Sequence, residues 1–260
     1  MRFAVPILVL ALVGLPSAPP SATARPIVVV AANQSFNWSG YVQGSLEPGK
    51  GPFHSIVAIW SVHTATPHRP GEAEYSSSWI GIGGGCLDTS CKLTDATLIQ
   101  AGIGHDIDAS GNADYYAWWE TIPAPLVRTT LAVHPGDRVG VAIVENRIPE
   151  IWTIVIVNLS TRGFFTVTLP YPSTYGSAEW VIETPVVISE TGAVSVGPMP
   201  DLSIVRFDYA RANGTSPGFI PAERIELVDF DLTLIATPSL PDAQHDGFND
   251  CTYTATCPAP

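Results

Sequence analysis

Arg138-Val139-Gly140-Val141-Ala142-Ile143-Val144, Trp152-Thr153-Ile154-Val155-Ile156-Val157 and Phe164-Phe165-Thr166-Val167-Thr168-Leu169 are three successive runs of β-branched, aliphatic and aromatic residues. Asn, Pro, Gly and Ser stand in the breaks between them. Runs of this length and composition read as strands. The same texture continues outward, upstream over 27–32, 37–43, 55–62, 76–82, 97–103 and 115–121, and downstream over 179–183, 203–207 and 224–235. His-Pro-Gly-Asp at 134–137 and Asn-Gly at 213–214 are turn signals. Helical periodicity is almost absent. The expectation is an all-β chain: one large antiparallel β-sandwich of two packed sheets, jelly-roll or lectin-like, filling a single domain over 25–260.

Composition narrows the function. The 260 residues are 46% hydrophobic and only 14% charged, against roughly 25% charged in an average soluble protein. Such a chain can bury a sizeable core and is not disordered. There are 24 acids against 12 bases, a net charge of −12, and Lys50 and Lys92 are the only lysines. That balance repels phosphate backbones and argues against a nucleic-acid partner. Below about pH 3 the carboxylates neutralise and few bases remain to repel one another, which suits an acidic environment.

Residues 1–24 read as a secretory signal, with Arg2 at its start, an apolar stretch over 3–15 and Ala22-Thr23-Ala24 as the small-residue cleavage site. The apolar stretch falls short of the about 20 residues of a membrane span, so the mature chain is expected outside the cell and free of the membrane. Four cysteines fit an oxidising compartment and allow three pairings. The local pairs Cys86–Cys91 and Cys251–Cys257 are preferred because each closes a short loop. Zinc is disfavoured: no Cys-x-x-Cys occurs and no histidine stands near at ligand spacing.

Three segments could carry chemistry. In Tyr115-Tyr116-Ala117-Trp118-Trp119-Glu120 a strand aligns Tyr116, Trp118 and Glu120 on one face, either as an aromatic binding groove or as a core stripe with Glu120 at its wet end. Gln100 interrupts the apolar strand Thr97-Leu98-Ile99-Gln100-Ala101-Gly102; it is either an amide held over a cleft or one bonded to a neighbouring loop, since a buried amide without partners costs a few kcal/mol. In Ser177-Ala178-Glu179-Trp180-Val181-Ile182-Glu183-Thr184-Pro185 the two glutamates share a face, as a carboxylate pair or as the polar side of an edge strand ending at Pro185. Neither His-Glu-x-x-His nor Asp-Thr-Gly occurs.

At these segments the chain resembles the glutamic peptidases, the eqolisin family of secreted acid endopeptidases. The matching stretches, in family order, are Asn37-Trp38-Ser39-Gly40-Tyr41, Ser78-Trp79-Ile80-Gly81-Ile82, Leu98-Ile99-Gln100-Ala101-Gly102, Ala117-Trp118-Trp119-Glu120 and Ala178-Glu179-Trp180-Val181-Ile182-Glu183. The resemblance implies a β-sandwich and a catalytic pair formed by Gln100 and Glu183, with Trp79, Trp118 and Glu120 beside substrate. It implies protein or peptide substrates, no metal or cofactor and a monomeric enzyme. This chain departs from the fungal pattern at Gly83, Gly104 and Ile122, where that pattern has two aspartates and a tyrosine, and by an insertion holding Cys86 and Cys91. Two rival functions use the same residues: a sugar-binding lectin-like sandwich stacking on Trp79, Trp118 and Trp119, or a glycosidase with an acid/base pair drawn from Glu120, Glu179 and Glu183.

Overall fold

The computed structural model describes residues 26–188 and 194–260, so the expected signal at 1–24 lies outside the described residues. Period-two alternation yields β1 (Val29–Ala31), β2 (Gln34–Ser35), β3 (Trp38–Gly44), β4 (Ser55–Ser61), β5 (Ser77–Ile82) and β6 (Ile99–Ile107). It continues through β7 (Ala113–Thr121), β8 (Val127–Arg128), β9 (Arg138–Glu145), β10 (Ile151–Asn158), β11 (Gly163–Pro170) and β12 (Ser177–Glu183). The rest is β13 (Val186–Ile188), β14 (Val194–Val196), β15 (Ile204–Ala212), β16 (Arg224–Val228), β17 (Leu234–Pro238) and β18 (Phe248–Thr252). One 3-10 turn, Pro221–Glu223, is the single helical element among the described residues.

Hydrogen bonding runs β11-β10-β9-β4-β15-β18-β17-β16 and then β3-β12-β5-β6-β7-β8. Every pair on this path is antiparallel. The ribbon folds over at β16, which pairs with both β17 and β3, and lays β4, β9 and β10 against β5 and β6, and β15 against β12. The result is the expected antiparallel sandwich. Its core joins Ile80, Ile82, Ala101, Ile103, Ala117, Trp180 and Ile182 of one sheet to Ile56, Ala58, Trp60, Val141, Ile143, Ile154 and Phe207 of the other. Two indole N–H groups within it find carbonyls: Trp180 Nε1 donates to Val57 O at 3.1 Å and Trp152 Nε1 to Tyr171 O at 3.0 Å.

Two expectations need correction. The run 224–235 is not one strand but two, β16 and β17, because Asp229 turns the chain: its N–H donates to Thr233 O, and its Oδ1 accepts from the Asp231 and Thr233 N–H groups. The edge-strand alternative for 179–183 is overturned, since β12 lies between β3 and β5 and all seven of its residues are buried. β18 went unexpected. Both local disulfides are present, Cys86–Cys91 and Cys251–Cys257, which leaves no free cysteine.

Candidate active site

Strands β3, β12, β5, β6 and β7 bury their inner face against the opposite sheet; their outer face carries the candidate residues. Directly opposed residues in antiparallel strands project to the same side, so the register defines three rows across that face. The first is Val42–Glu179–Gly81–Gln100–Glu120, the second Gly40–Val181–Trp79–Gly102–Trp118, and the third Trp38–Glu183–Ser77–Gly104–Tyr116. The strand spacing expected from sequence therefore places Gln100, Glu120, Glu179, Glu183, Trp79 and Trp118 on one surface. Glycines make its floor low enough for aromatic rings: a Cβ on Gly102 would lie 2.4 Å from Trp79 Cβ, and one on Gly104 2.3 Å from the Tyr116 ring.

Two hydrogen bonds organise the middle of this surface. Gln100 Nε2 donates to Glu120 Oε2 at 2.7 Å, and Trp79 Nε1 donates to Glu183 Oε2 at 2.8 Å. The bond to Glu120, an in-register neighbour, replaces the loop contact that was the bland alternative for Gln100. Glu120 is itself buried at 2% exposure rather than standing at a wet strand end. The two carboxyls feel each other. Burial, with the Glu120 charge next, pushes Glu183 up to about 8, against the opposing influence of Trp38, Trp79 and Asn37. Burial pushes Glu120 up to about 7, opposed by the Gln100 amide. Gln100 Oε1 and Glu183 Oε1 are buried without a hydrogen-bond partner, an arrangement that costs about 1–3 kcal/mol per group and calls for an explanation.

Glu179 belongs elsewhere. The Trp79 ring overhangs Gly81, where a Cβ would meet its Cζ3 at 2.8 Å, and so stands on the row between Glu179 and Gln100. The Glu179 carboxyl lies instead against Gly85, whose Cβ would meet its Oε1 at 2.6 Å. Burial raises its pKa well above the usual carboxylate range; the Ser177 hydroxyl and the Gly85 N–H oppose the shift, and Asp95 adds to it.

The three departures have structural reasons. Gly83 has φ +88°, and a Cβ there would fall 2.1 Å from Thr97 O, so the backbone leaves no room for an aspartate. Tyr116 fills the space over Gly104, and its hydroxyl donates to Asp106 Oδ2 at 2.8 Å. Ile122 packs against the outer-face aromatic cluster with Leu126. Sequence reasoning quoted Asn37 and Trp38 in a motif but gave them no role. Trp38 is fully buried edge-on to Trp79, ring centroids 4.9 Å apart, and Asn37 lies beside Glu183. Their position at the start of a strand that pairs with β12 was the available signal.

The sequence profile of the Peptidase A4 family matches residues 36–238. Among solved structures, scytalido-glutamic peptidase with a transition-state analogue inhibitor aligns at TM-score 0.60 and 15% identity, over 86% of this chain and all of that one. SCP-B, an eqolisin complexed with the tripeptide Ala-Ile-His, aligns at TM-score 0.56 and 15% identity with the same coverage. Aspergilloglutamic peptidase from Aspergillus niger aligns at TM-score 0.51 and 20% identity, over 69% of this chain and 99% of that one. No curated protein matches by sequence. At these identities the structures speak for the fold, which agrees with the sandwich above. The family rests on the profile, which spans well over half of the residues: this chain belongs to the Peptidase A4 family of glutamic peptidases.

Proposed function

We propose that the protein is a secreted endopeptidase acting in acid, with Gln100 and Glu183 as its catalytic pair. Glu183 takes a proton from a water that attacks the scissile carbonyl, and returns it to the leaving amine. The Gln100 amide N–H supports the oxyanion that forms. Glu120 accepts from that same amide, so it holds the donor's plane, while the Trp79 indole holds the Glu183 carboxyl. The linked set Gln100–Glu120 and Glu183–Trp79 on one buried face is the observation that carries this reading.

The protonation state has to fit. In the closed, dry face Glu183 is pushed up to about 8, so in acid it holds its proton and cannot act as a base. Hydration removes the largest cause of that shift. An open, wet groove returns the carboxyl toward its ordinary value near pH ~4.3, where one group takes and gives a proton readily. A peptide substrate therefore needs this face uncovered.

Export after removal of residues 1–24 is part of the same proposal, and the two disulfides support it. Family membership weighs against the lectin-like and glycosidase readings. The test is digestion of an unfolded protein between about pH 2 and 5, with and without pepstatin. We expect cleavage that pepstatin leaves untouched. Replacing Gln100 by alanine should cost at least about a hundredfold in turnover; a folded Gln100→Ala variant with normal turnover would remove the glutamine from the mechanism.

A further inference from the structure

The proposed catalytic pair and the side chains around it are sealed: Gln100 and Trp79 are 0% exposed, Trp118 1%, Glu120 2% and Glu183 4%. Part of what covers this face is the segment that leads into β1. Ile27 is buried within the cluster that contains Trp38, Trp79, Leu98 and Trp118. Residues 26–28 are gripped there through their backbone, from two sides. The Asn37 carboxamide takes one side, its Oδ1 accepting from Val28 N–H at 2.8 Å and its Nδ2 donating to Pro26 O at 3.3 Å. On the other side Ile27 N–H donates to Gly84 O at 2.9 Å.

This is how a protein holds a peptide. A carboxamide offers N–H donors beside a carbonyl acceptor, and in an extended chain the carbonyl of one residue and the N–H two residues on share an edge, while the residue between addresses the other edge. Main-chain bonds carry no side-chain information, so any segment able to extend can use them. The selective element is the apolar place of Ile27. Asn37 also neighbours Glu183, and its carbonyl accepts from the Thr184 N–H at 3.1 Å, so the clasp abuts the catalytic carboxyl. The gripped residues precede the 36–238 region that matches the family. A purely structural role, a short β1–β2 hairpin pinned by Asn37 and Ser35, would use the same bonds but would predict no competition with substrate.

We propose that residues 26–29 occupy one arm of the peptide groove as an intramolecular ligand, and that a substrate carrying an aliphatic residue takes over the Asn37–Gly84 clasp when they withdraw. The segment is then inhibitory, and Asn37 is a substrate-binding residue. This rests on the peptidase reading above, because the groove it fills is the one assigned there.

The experiment compares the chain beginning at residue 25 with one beginning at Ala32, each prepared also as the Glu183→Gln form. The probe is the capped peptide Pro-Ile-Val-Val, followed by tryptophan fluorescence and by inhibition of cleavage. We expect the shorter chain to bind the peptide at least tenfold tighter than the longer one, and to cleave unfolded protein with a lower KM. A peptide with Asp in place of Ile should fail to bind, and Asn37→Ala in the shorter chain should raise KM more than it lowers kcat. Should the shorter chain not fold, full-length Val28→Pro, which removes the N–H held by Asn37, carries the same expectation. Equal KM and equal peptide affinity in long and short chains, or in Val28→Pro and its parent, overturn the proposal. If the peptide binds the short chain but neither chain cleaves at any pH, the peptidase reading falls and the clasp stands. If both cleave alike and the peptide does not compete, the reverse holds.

Discussion

The two faces of the sheet β3-β12-β5-β6-β7 are both buried and both rich in tryptophan, yet they are built on different rules. The inner face carries Ile80, Ile82, Ala101, Ile103, Ala117 and Ile182, and the indole N–H of Trp180 reaches a carbonyl. The outer face sets Glu120, Glu179, Glu183 and Gln100 among Trp38, Trp79 and Trp118 over a floor of glycines. It leaves polar atoms of Gln100, Glu179, Glu183, Trp38 and Trp118 without a hydrogen-bond partner. Burying such groups opposes folding. The inner face leaves Gln43 Oε1, Ser78 Oγ and both His105 ring nitrogens unpartnered as well; what sets the outer face apart is that carboxyls and an amide cluster there between indole rings, the composition of a binding surface.

The sharpest way to break the comparison is to exchange single atoms on the outer face. Glu183→Gln keeps shape and removes the base, and should lower turnover by about 10²–10⁴-fold. Glu179→Gln, behind the Trp79 ring, should change turnover less than about tenfold while the melting temperature moves. Steady-state kinetics on both variants decides. If Glu179→Gln is the dead one, the division of the face by Trp79 is wrong and the general base is Glu179.

The faces also answer pH in opposite directions. Glu120 and Glu183 are raised to about 7 and about 8, so the folded state binds their protons more tightly than the unfolded chain. Their contribution is fully present below about pH 4.5 and is lost as pH rises through those values. On the inner side of β6, His105 is fully buried, packed edge-on to Tyr115, and lowered to about 3 by burial, with His63 adding to the shift. Its contribution is present above about pH 6.5 and is lost as pH falls toward 3. Denaturant melts at pH 3, 5 and 8 should therefore show greatest stability near 5. His105→Leu should flatten the acid limb, and Glu183→Gln the neutral limb. Stability climbing steadily from pH 5 to 8 would contradict this account.

Much of the difference between the faces could be read from sequence, because period two fixes which side chains share a side. The grouping of Glu179 with Glu183, and of Trp118 with Glu120, needed nothing else. Register did need the folded chain: that Gln100 stands opposite Glu120 follows from pairing β6 with β7, which no local pattern states. Nor could spacing tell that Trp79 leans over Gly81 and separates one glutamate from the amide. β18 escaped because Phe248-Asn249-Asp250-Cys251-Thr252 reads as a turn by its Asn and Asp. It is a strand because it fills the gap between β15 and β17, where Asp250 accepts from Ser39 Oγ at 2.7 Å. The split of 224–235 failed in the mirror sense, an apolar run hiding an Asp turn.

Gly83 tests how far the outer face tolerates its family pattern. Its φ of +88° and the Thr97 carbonyl beside it forbid a side chain. Gly83→Asp should therefore cost about 2 kcal/mol or more in stability, with no gain in turnover, as read by urea melts and kinetics together. A stable, more active variant would mean that the β5–β6 connection can rearrange to the fungal form.

The smallest effect is expected where the outer face meets solvent. Arg128, half exposed, lies over the Tyr116 ring at 3.5 Å and pairs with Asp114 at 2.6 Å and Asp106 at 3.6 Å. An exposed cation over a ring contributes about 0.5–1 kcal/mol and an exposed ion pair about 0–1 kcal/mol, so Arg128→Gln should lower stability by about 1 kcal/mol. Salt should erase part of the difference, because screening acts on exposed charges first. Asp106, raised to about 6 by burial and held down by Tyr116 and Arg128, should titrate higher in the variant, which carbon-detected NMR can follow. Turnover should hardly change, since the rim touches neither the Gln100 amide nor the Glu183 carboxyl. A loss comparable to that of Glu183→Gln would extend the working surface from the floor of the groove to its charged end, and the contrast would then lie between two faces used throughout and not between floor and rim.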